Sequence, residues 1–280
     1  MQRALVLGSG GITGTAWELG LLAGLADAGL ALTDAAVVVG TSAGSVAAAQ
    51  ICSGIPIGEL YARQLQPPAT TERVSRFSRR TRLAMVVALG RSKNDSDTFG
   101  RRMGAFAVRA AARGRTPSVE QRLATIASRL PSTEWPDRDL WITAVDADSG
   151  AFRVFTRADG VALVDAVAAS CAVPGVYPPI PIGERTYIDG GYRSGSNVDV
   201  ARDYEPIVVL APRPINAGPV RGPQQQLDAL GVRGVVISPD GPASAGIGAN
   251  AFDPAARGGA AEAGRDQAAR VVERVRAACD

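Results

Sequence analysis

Twice within its first 51 residues the chain runs from a short apolar segment through a glycine-rich turn into a helix, and few folds accommodate that repetition. The first pass is a strand at Ala4 to Leu7, a turn spanning Gly8 to Gly14, and an amphipathic helix from about Thr15 to Ala28. Trp17, Leu21, Leu22 and Leu25 recur at helical spacing there, and Gly29 stops the pattern. The second pass is a strand at Ala36 to Val39, the turn Gly40-Thr41-Ser42-Ala43-Gly44, and a helix of small residues from Ser45 to Ile51. The second strand is wholly apolar, of the kind buried on both faces in a parallel sheet. The expected class is α/β, built on a central, mostly parallel sheet flanked by helices. Only six Phe, five Tyr and three Trp support an apolar share of 46%, so Ala, Val, Leu and Gly must fill the core, which suits close helix-on-sheet contact.

The middle of the chain has a different character. From about residue 54 to 136 the patterns are helical but irregular, with Pro67-Pro68 and many arginines, and this region reads as a variable helical cap within a single domain of residues 1–280. Between Arg63 and Arg129 lie fifteen basic residues against four acids (Glu72, Asp95, Asp97, Glu120), a local charge of +11 where the remainder carries −8. Strand patterns return at Leu140 to Asp146, Phe152 to Thr156, Ile207 to Leu210 and Gly234 to Ile237; helices are expected near Val161 to Ser170 and from about Ala260 to Ala278. Gly241 to Ala256, rich in Gly, Ala and Pro, reads as a loop. No apolar run approaches the ~18 residues of a membrane-spanning helix, and Met1 leads almost directly into a strand, so a cytoplasmic protein is expected. Cys52, Cys171 and Cys279 form no C-x-x-C pair and are expected as buried or idle thiols rather than metal ligands or disulfides.

Histidine is absent from the sequence, which excludes every Ser-His-Asp or Cys-His hydrolase and every imidazole metal site. The turn Gly40 to Gly44 is nevertheless a G-x-S-x-G between a buried strand and a helix, the setting of a nucleophile elbow that lifts Ser42 above the sheet edge at the positive end of a helix. The plainer alternative is a glycine-serine turn that caps the helix. The amides of the Gly8 to Gly14 turn suit either an anion cradle or an oxyanion hole, or the turn is simply a flexible βα connection. As a dinucleotide fingerprint it fails, because Thr13 stands where the last glycine belongs. A serine without histidine needs a carboxylate, a lysine or the N-terminal amine as base. Lys93, the single lysine, sits in no S-x-x-K; Asp189, in Tyr187-Ile188-Asp189-Gly190-Gly191, ends an apolar strand in a glycine turn, though Asp-Gly is also a common β-turn.

These motifs, in this order, resemble the patatin-like phospholipase family. The resemblance rests on the glycine-rich opening loop, G-T-S-A-G at residues 40–44, D-G-G at Asp189-Gly190-Gly191, the A-x-x-x-G-x-L pattern within Ala16 to Leu30, Thr143 to Gly150, and Ala169 to Pro179, together about two thirds of the chain. It implies a patatin-like fold and a Ser42–Asp189 dyad hydrolysing acyl esters of lipids through an acyl-enzyme. It further implies an oxyanion hole from Gly10, Gly11 and Gly14, an elbow formed by Gly40, Thr41, Ala43 and Gly44, a base turn at Gly190 and Gly191, and neither metal nor organic cofactor. Two departures stand out. Ser9 replaces the first glycine of the family's oxyanion loop, and Thr13 replaces its basic residue, which favours a neutral or small ester; the basic middle region matches no family motif. The expected partner is a lipid or small acyl ester; the basic segment, with Leu83 to Leu89 as part of a lid, reads either as a face for an anionic membrane surface or as arginines that solvate surface helices, and nucleic acid is not expected. Two alternatives remain: a nucleotide- or cofactor-binding protein using Gly8 to Gly14, which leaves Ser42 and Asp189 unexplained, and a silent patatin-shaped lipid binder.

Overall fold

The computed structural model describes residues 2–67 and 74–280; Met1, Pro68 of the proline pair, and Glu72 and Arg73 of the basic segment lie outside the described residues. Among the described residues, eight strands form one mixed sheet. Five are parallel, in the order β8 (Gly234–Ile237), β7 (Ile207–Leu210), β1 (Ala4–Leu7), β2 (Val37–Thr41) and β3 (Asp139–Asp146). β4 (Phe152–Phe155) and β6 (Arg185–Asp189) both pair antiparallel with β3, and β5 (Ile180–Ile182) borders β6. The continuous apolar runs of β1, β2 and β7 are buried on both faces, as their lack of alternation requires.

The sheet divides the core in two. Leu5, Leu7, Val38 and Val208 point into the larger half, beneath α1 (Gly11–Asp27), α2 (Ala43–Ile51), α7 (Leu163–Ser170) and α10 (Arg257–Cys279). Ala4, Val6, Val37, Val39 and Val209 point into the smaller half, against residues 198–201 and α8 (Pro223–Leu230). Small residues explain the closest helix pair: a Cβ on Gly20 of α1 would stand 1.9 Å from the carbonyl oxygen of Ala261 in α10, so the two helices touch backbone to backbone. The buried Trp17 indole, which donates to Gln267 at 2.9 Å, adds a directional tie between them.

The basic middle region does not form one layer. It contributes α3 (Ile57–Leu65), which packs on α1 and α10; α6 (Val119–Ala127), which packs on α7; and the paired α4 (Arg79–Arg91) and α5 (Ser96–Ala112), of which α5 reaches β3 and β6. Two sequence expectations are corrected. α1 begins at Gly11, inside the glycine-rich turn rather than after it, so half of that turn is the first turn of a helix. Residues 241–256 are not a loop throughout: α9 (Gly241–Ile247) forms because the Asp240 carboxylate accepts the Ala243 amide at 2.9 Å as an N-cap, and a short 3₁₀ turn follows at Pro254–Ala256. No described helix is long and apolar enough to cross a membrane.

Candidate active site

Ser42 sits where β2 turns into α2, with φ 54° and ψ −117°, a backbone conformation that a residue with a side chain rarely adopts. The turn is this sharp because its glycines allow it. A Cβ on Gly44 would lie 2.1 Å from the Leu7 carbonyl oxygen of β1, so only glycine lets α2 start against that strand. The strained residue is clamped on both sides: its amide donates to Ser170 Oγ at 2.8 Å, and its carbonyl accepts from Ser45 Oγ at 2.6 Å and Cys171 Sγ at 3.1 Å.

Asp189 reaches Ser42 through the register of β3. β4 and β6 both pair with residues 144 and 145, so they occupy opposite edges of β3; β2 pairs with 142 and 143, as β4 does, and so shares its edge with β6. On that edge Thr41 lies opposite Thr143 and Asp189 lies opposite Ala144, the next position along. β6 thus continues the row where β2 stops, and the residue after Thr41 meets the last residue of β6. Ser42 Oγ donates to Asp189 Oδ2 at 2.6 Å, with the two residues only 7% and 3% exposed. The other carboxylate oxygen accepts the Gly191 amide at 2.7 Å, and the Asp189 amide donates to the Ala172 carbonyl at 3.2 Å. Burial raises the Asp189 pKa from 3.8 to about 6, an increase held in check by the Ser42 hydroxyl, the Gly191 amide and the charge of Arg122.

The glycine loop passes over this pair. Gly10 and Gly11 line the same cavity as Ser42 and Asp189, and their amides have no acceptor among the described residues. Gly11 holds φ +65°, and a Cβ there would lie 2.4 Å from the Ala251 carbonyl oxygen. Gly14 differs from the expectation: its amide donates to the Gly10 carbonyl at 3.0 Å inside α1, which commits it to the helix, and the bare Cα lets Pro212 pack close. Gly40 and Ala43 flank the elbow. Thr41 Oγ1 meets Thr143 Oγ1 at 2.8 Å, and Gly190 stacks so close to Thr143 that a Cβ would lie 2.5 Å from its hydroxyl.

Above the dyad opens a cavity of about 250 Å³, floored by Ser42 and Asp189 and walled by Phe77, Met85, Leu89, Phe99, Val220 and Phe252. Met85 and Leu89 belong to the expected lid stretch, which is α4. On the other side of Ser42 a narrow cleft of about 20 Å³, shared by Ala43, Val46, Cys171 and Tyr177, leads toward a second hollow of about 270 Å³ between Ile12, Val46, Leu60 and Pro254. The cavity over the dyad, mostly apolar with Arg82 and Arg213 also in its lining, suits an acyl chain; the second hollow is lined as well by Gln50, Arg63, Gln64, Arg129 and Arg257.

Two contributors were not legible in advance. Arg122 of α6 is 3% exposed, lies 3.6 Å over the Tyr177 ring, donates to the Cys171 carbonyl at 3.2 Å and lines the cleft beside Ser42. Thr13, the departure from the family loop, is fully buried and lines no part of the cavity; the cations around Ser42 come from other elements, Arg122 and Arg129 in the cleft and Arg82 and Arg213 in the cavity. Asn197, with φ 50°, donates from one Nδ2 toward Thr41 Oγ1 at 3.1 Å and Ser194 O at 2.9 Å, tying the elbow strand to the loop after Asp189. A lone Asn or Arg gives no sequence signal for such a place. Ser170 and Cys171 did have one, since they fall inside the matched stretch Ala169 to Pro179.

A mixed, mostly parallel sheet carrying a strained serine elbow beside a buried aspartate defines an α/β protein with the layout of a hydrolase. The family model described as Patatin-like phospholipase matches residues 5–202, and the chain belongs to that family, whose members are lipid acyl hydrolases. Among solved structures the chain is similar to VipD from Legionella pneumophila, at 14% identity and TM-score 0.49, covering 98% of this chain and 67% of that one. It is also similar to the type III effector protein ExoU, at 18% identity and TM-score 0.40, covering 97% of this chain and 53% of that one, so it spans about half the effector's length. A search of curated proteins found no match.

Proposed function

We propose that the chain, as one acyl hydrolase unit, cleaves carboxylic esters of lipids, in the manner of a phospholipase A, lysophospholipase or esterase, through a Ser42–Asp189 dyad. The observation that carries the proposal is the 2.6 Å contact from Ser42 Oγ to Asp189 Oδ2 on a strained elbow beneath an apolar cavity. Asp189 takes the Ser42 proton while Oγ bonds to the ester carbonyl carbon. The carbonyl oxygen becomes an oxyanion facing the Gly10 and Gly11 amides, each worth roughly 3 kcal/mol by analogy with measured oxyanion holes. As the tetrahedral centre collapses, protonated Asp189 returns the proton to the departing alkoxide, leaving an alcohol and an ester on Ser42. Water then repeats the cycle and releases the acid. An aspartate at about 6 is a better base than one at 3.8 and is still ionised at neutral pH. Arg122 supports the same chemistry by favouring the ionised carboxylate.

Hydrolysis of p-nitrophenyl esters and of phosphatidylglycerol by the purified protein, with Ser42→Ala alongside, tests the proposal. Release of p-nitrophenol and of free fatty acid by wild type, lost in the variant, is expected. Equal turnover by both proteins would remove Ser42 from the mechanism.

A further inference from the structure

Helix α4 is apolar on two opposite sides. One side is anchored: Thr81 and Ala88 are buried, and Met85 and Leu89 contribute to the wall of the cavity over Ser42. The other side carries Leu83, Val86 and Val87 at 65%, 66% and 41% exposure, a stripe at i, i+3, i+4 spacing that no described residue covers. Ile215, 42% exposed and also on the cavity rim, extends the apolar surface across the mouth. Arg80 and Arg91 flank the stripe on one side and Arg82 on the other, by the 100° step of the helix, with Arg79 at its start. All four are exposed, and none pairs with an acid among the described residues.

A solvated surface helix has no reason to keep such a stripe, and a protein partner of unstated charge would not explain the arginines on both flanks. A bilayer with anionic head groups explains both: the apolar side chains enter the acyl boundary and the arginines meet phosphates. We propose that the outer face of α4 docks the protein on an anionic lipid surface, with the mouth of the Ser42 cavity turned toward it. The same helix then forms the docking face and one wall of the cavity, so a lipid leaving the bilayer passes from one side of α4 to the other. This rests on the acyl-ester reading of the site, and the assay separates the two.

Co-sedimentation of the full chain with phosphatidylglycerol or phosphatidylcholine vesicles is compared for wild type, Leu83→Ser/Val86→Ser/Val87→Ser and Arg80→Glu/Arg91→Glu, with p-nitrophenyl acetate hydrolysis measured in parallel. Wild type is expected to bind phosphatidylglycerol, weakly or not at all phosphatidylcholine, and to release as NaCl screens the arginines over about 10 Å at 0.1 M. The apolar triple variant should lose about tenfold or more in partitioning, and the charge-reversed pair should lose its preference for phosphatidylglycerol. Both should hydrolyse the soluble ester within twofold of wild type, because none of these residues lines the cavity. Vesicle binding without ester hydrolysis in wild type would defeat the acyl-ester reading and leave docking intact. No phosphatidylglycerol binding by wild type, equal binding to both lipids, or undiminished binding by the charge-reversed pair would overturn docking. So would a wild-type dimer in sedimentation velocity that the triple variant abolishes, since the stripe would then belong to a second copy.

Discussion

The Ser42 elbow and helix α4 face each other across one cavity and are built by opposite rules. At the elbow, every position is determined by contact: Gly44 lies against Leu7, Ser42 is held through both its amide and its carbonyl, and Asp189 is set by the pairing of β6 with β3. On α4, Leu83, Val86 and Val87 touch little and the flanking arginines are solvated. The contrast teaches that substitutions at the elbow act on chemistry or folding, and substitutions on the outer face of α4 act on what approaches the molecule.

The largest effect that sharpens this contrast is the loss of the nucleophile. Ser42→Ala should lower kcat on a soluble ester by on the order of 10⁴ or more, with the thermal transition retained; stopped kinetics and differential scanning calorimetry on the same sample check both. Next comes Asp189→Asn, expected to cost ~10² to 10⁴ in kcat. The same change should stabilise the protein at pH 8, by at most about 3 kcal/mol, because it removes a buried charge. The direction follows from the raised carboxyl: with a folded pKa of about 6 against 3.8, the native state holds a proton that the unfolded state has lost, so wild-type stability is greatest below pH 4 on this account and falls as pH rises through 6. Urea unfolding of both proteins across that range should show the gap opening with pH and closing below it.

Gly44→Ala places a Cβ at 2.1 Å from the Leu7 oxygen, and a loss of about 4 kcal/mol or more is expected, seen as a failure to fold or a collapsed urea midpoint. Its counterpart on α4, Val87→Ala, should change stability by less than about 0.5 kcal/mol. If these two substitutions cost the same, the contrast between the regions is broken. The mildest catalytic effect belongs to the cavity wall: Leu89→Phe should reduce kcat/KM for long-chain p-nitrophenyl esters by about tenfold, with the acetate ester changed less than twofold.

How much of this was legible follows the same division. The two strand–turn–helix units were visible because unbroken apolar runs next to glycine turns have few alternatives, and Gly234 to Ile237 was placed to the residue. Ser42 and Asp189 were each ambiguous alone, a capping turn and an Asp-Gly turn; the pairing of β3 with both β2 and β6 brings them together, and pairing is not written in either motif. α8 was missed because Pro223-Gln-Gln-Gln reads as polar coil, although its proline sits at the helix start and Gln226 is buried against Val198 and Ser194. α9 depends on a single cap, Asp240, in a stretch whose Gly, Ala and Pro content otherwise reads as a loop. Arg122 shows the limit of charge counting: it belongs to a segment of +11, yet it is buried at the site while Arg79, Arg80 and Arg91 are in solvent and Arg82 is exposed at the cavity lining. Net charge records neither distinction.

The central claim is that Ser42 is the nucleophile and Asp189 the group that activates it. Labelling with a fluorophosphonate probe across pH 4 to 9, followed by peptide mass spectrometry, tests both halves at once. The account predicts one adduct, on Ser42, formed at a rate that falls about tenfold per pH unit below an apparent pKa of about 6, with the pH dependence abolished in Asp189→Asn. An adduct on another serine, or an unchanged pH profile in Asp189→Asn, would contradict it.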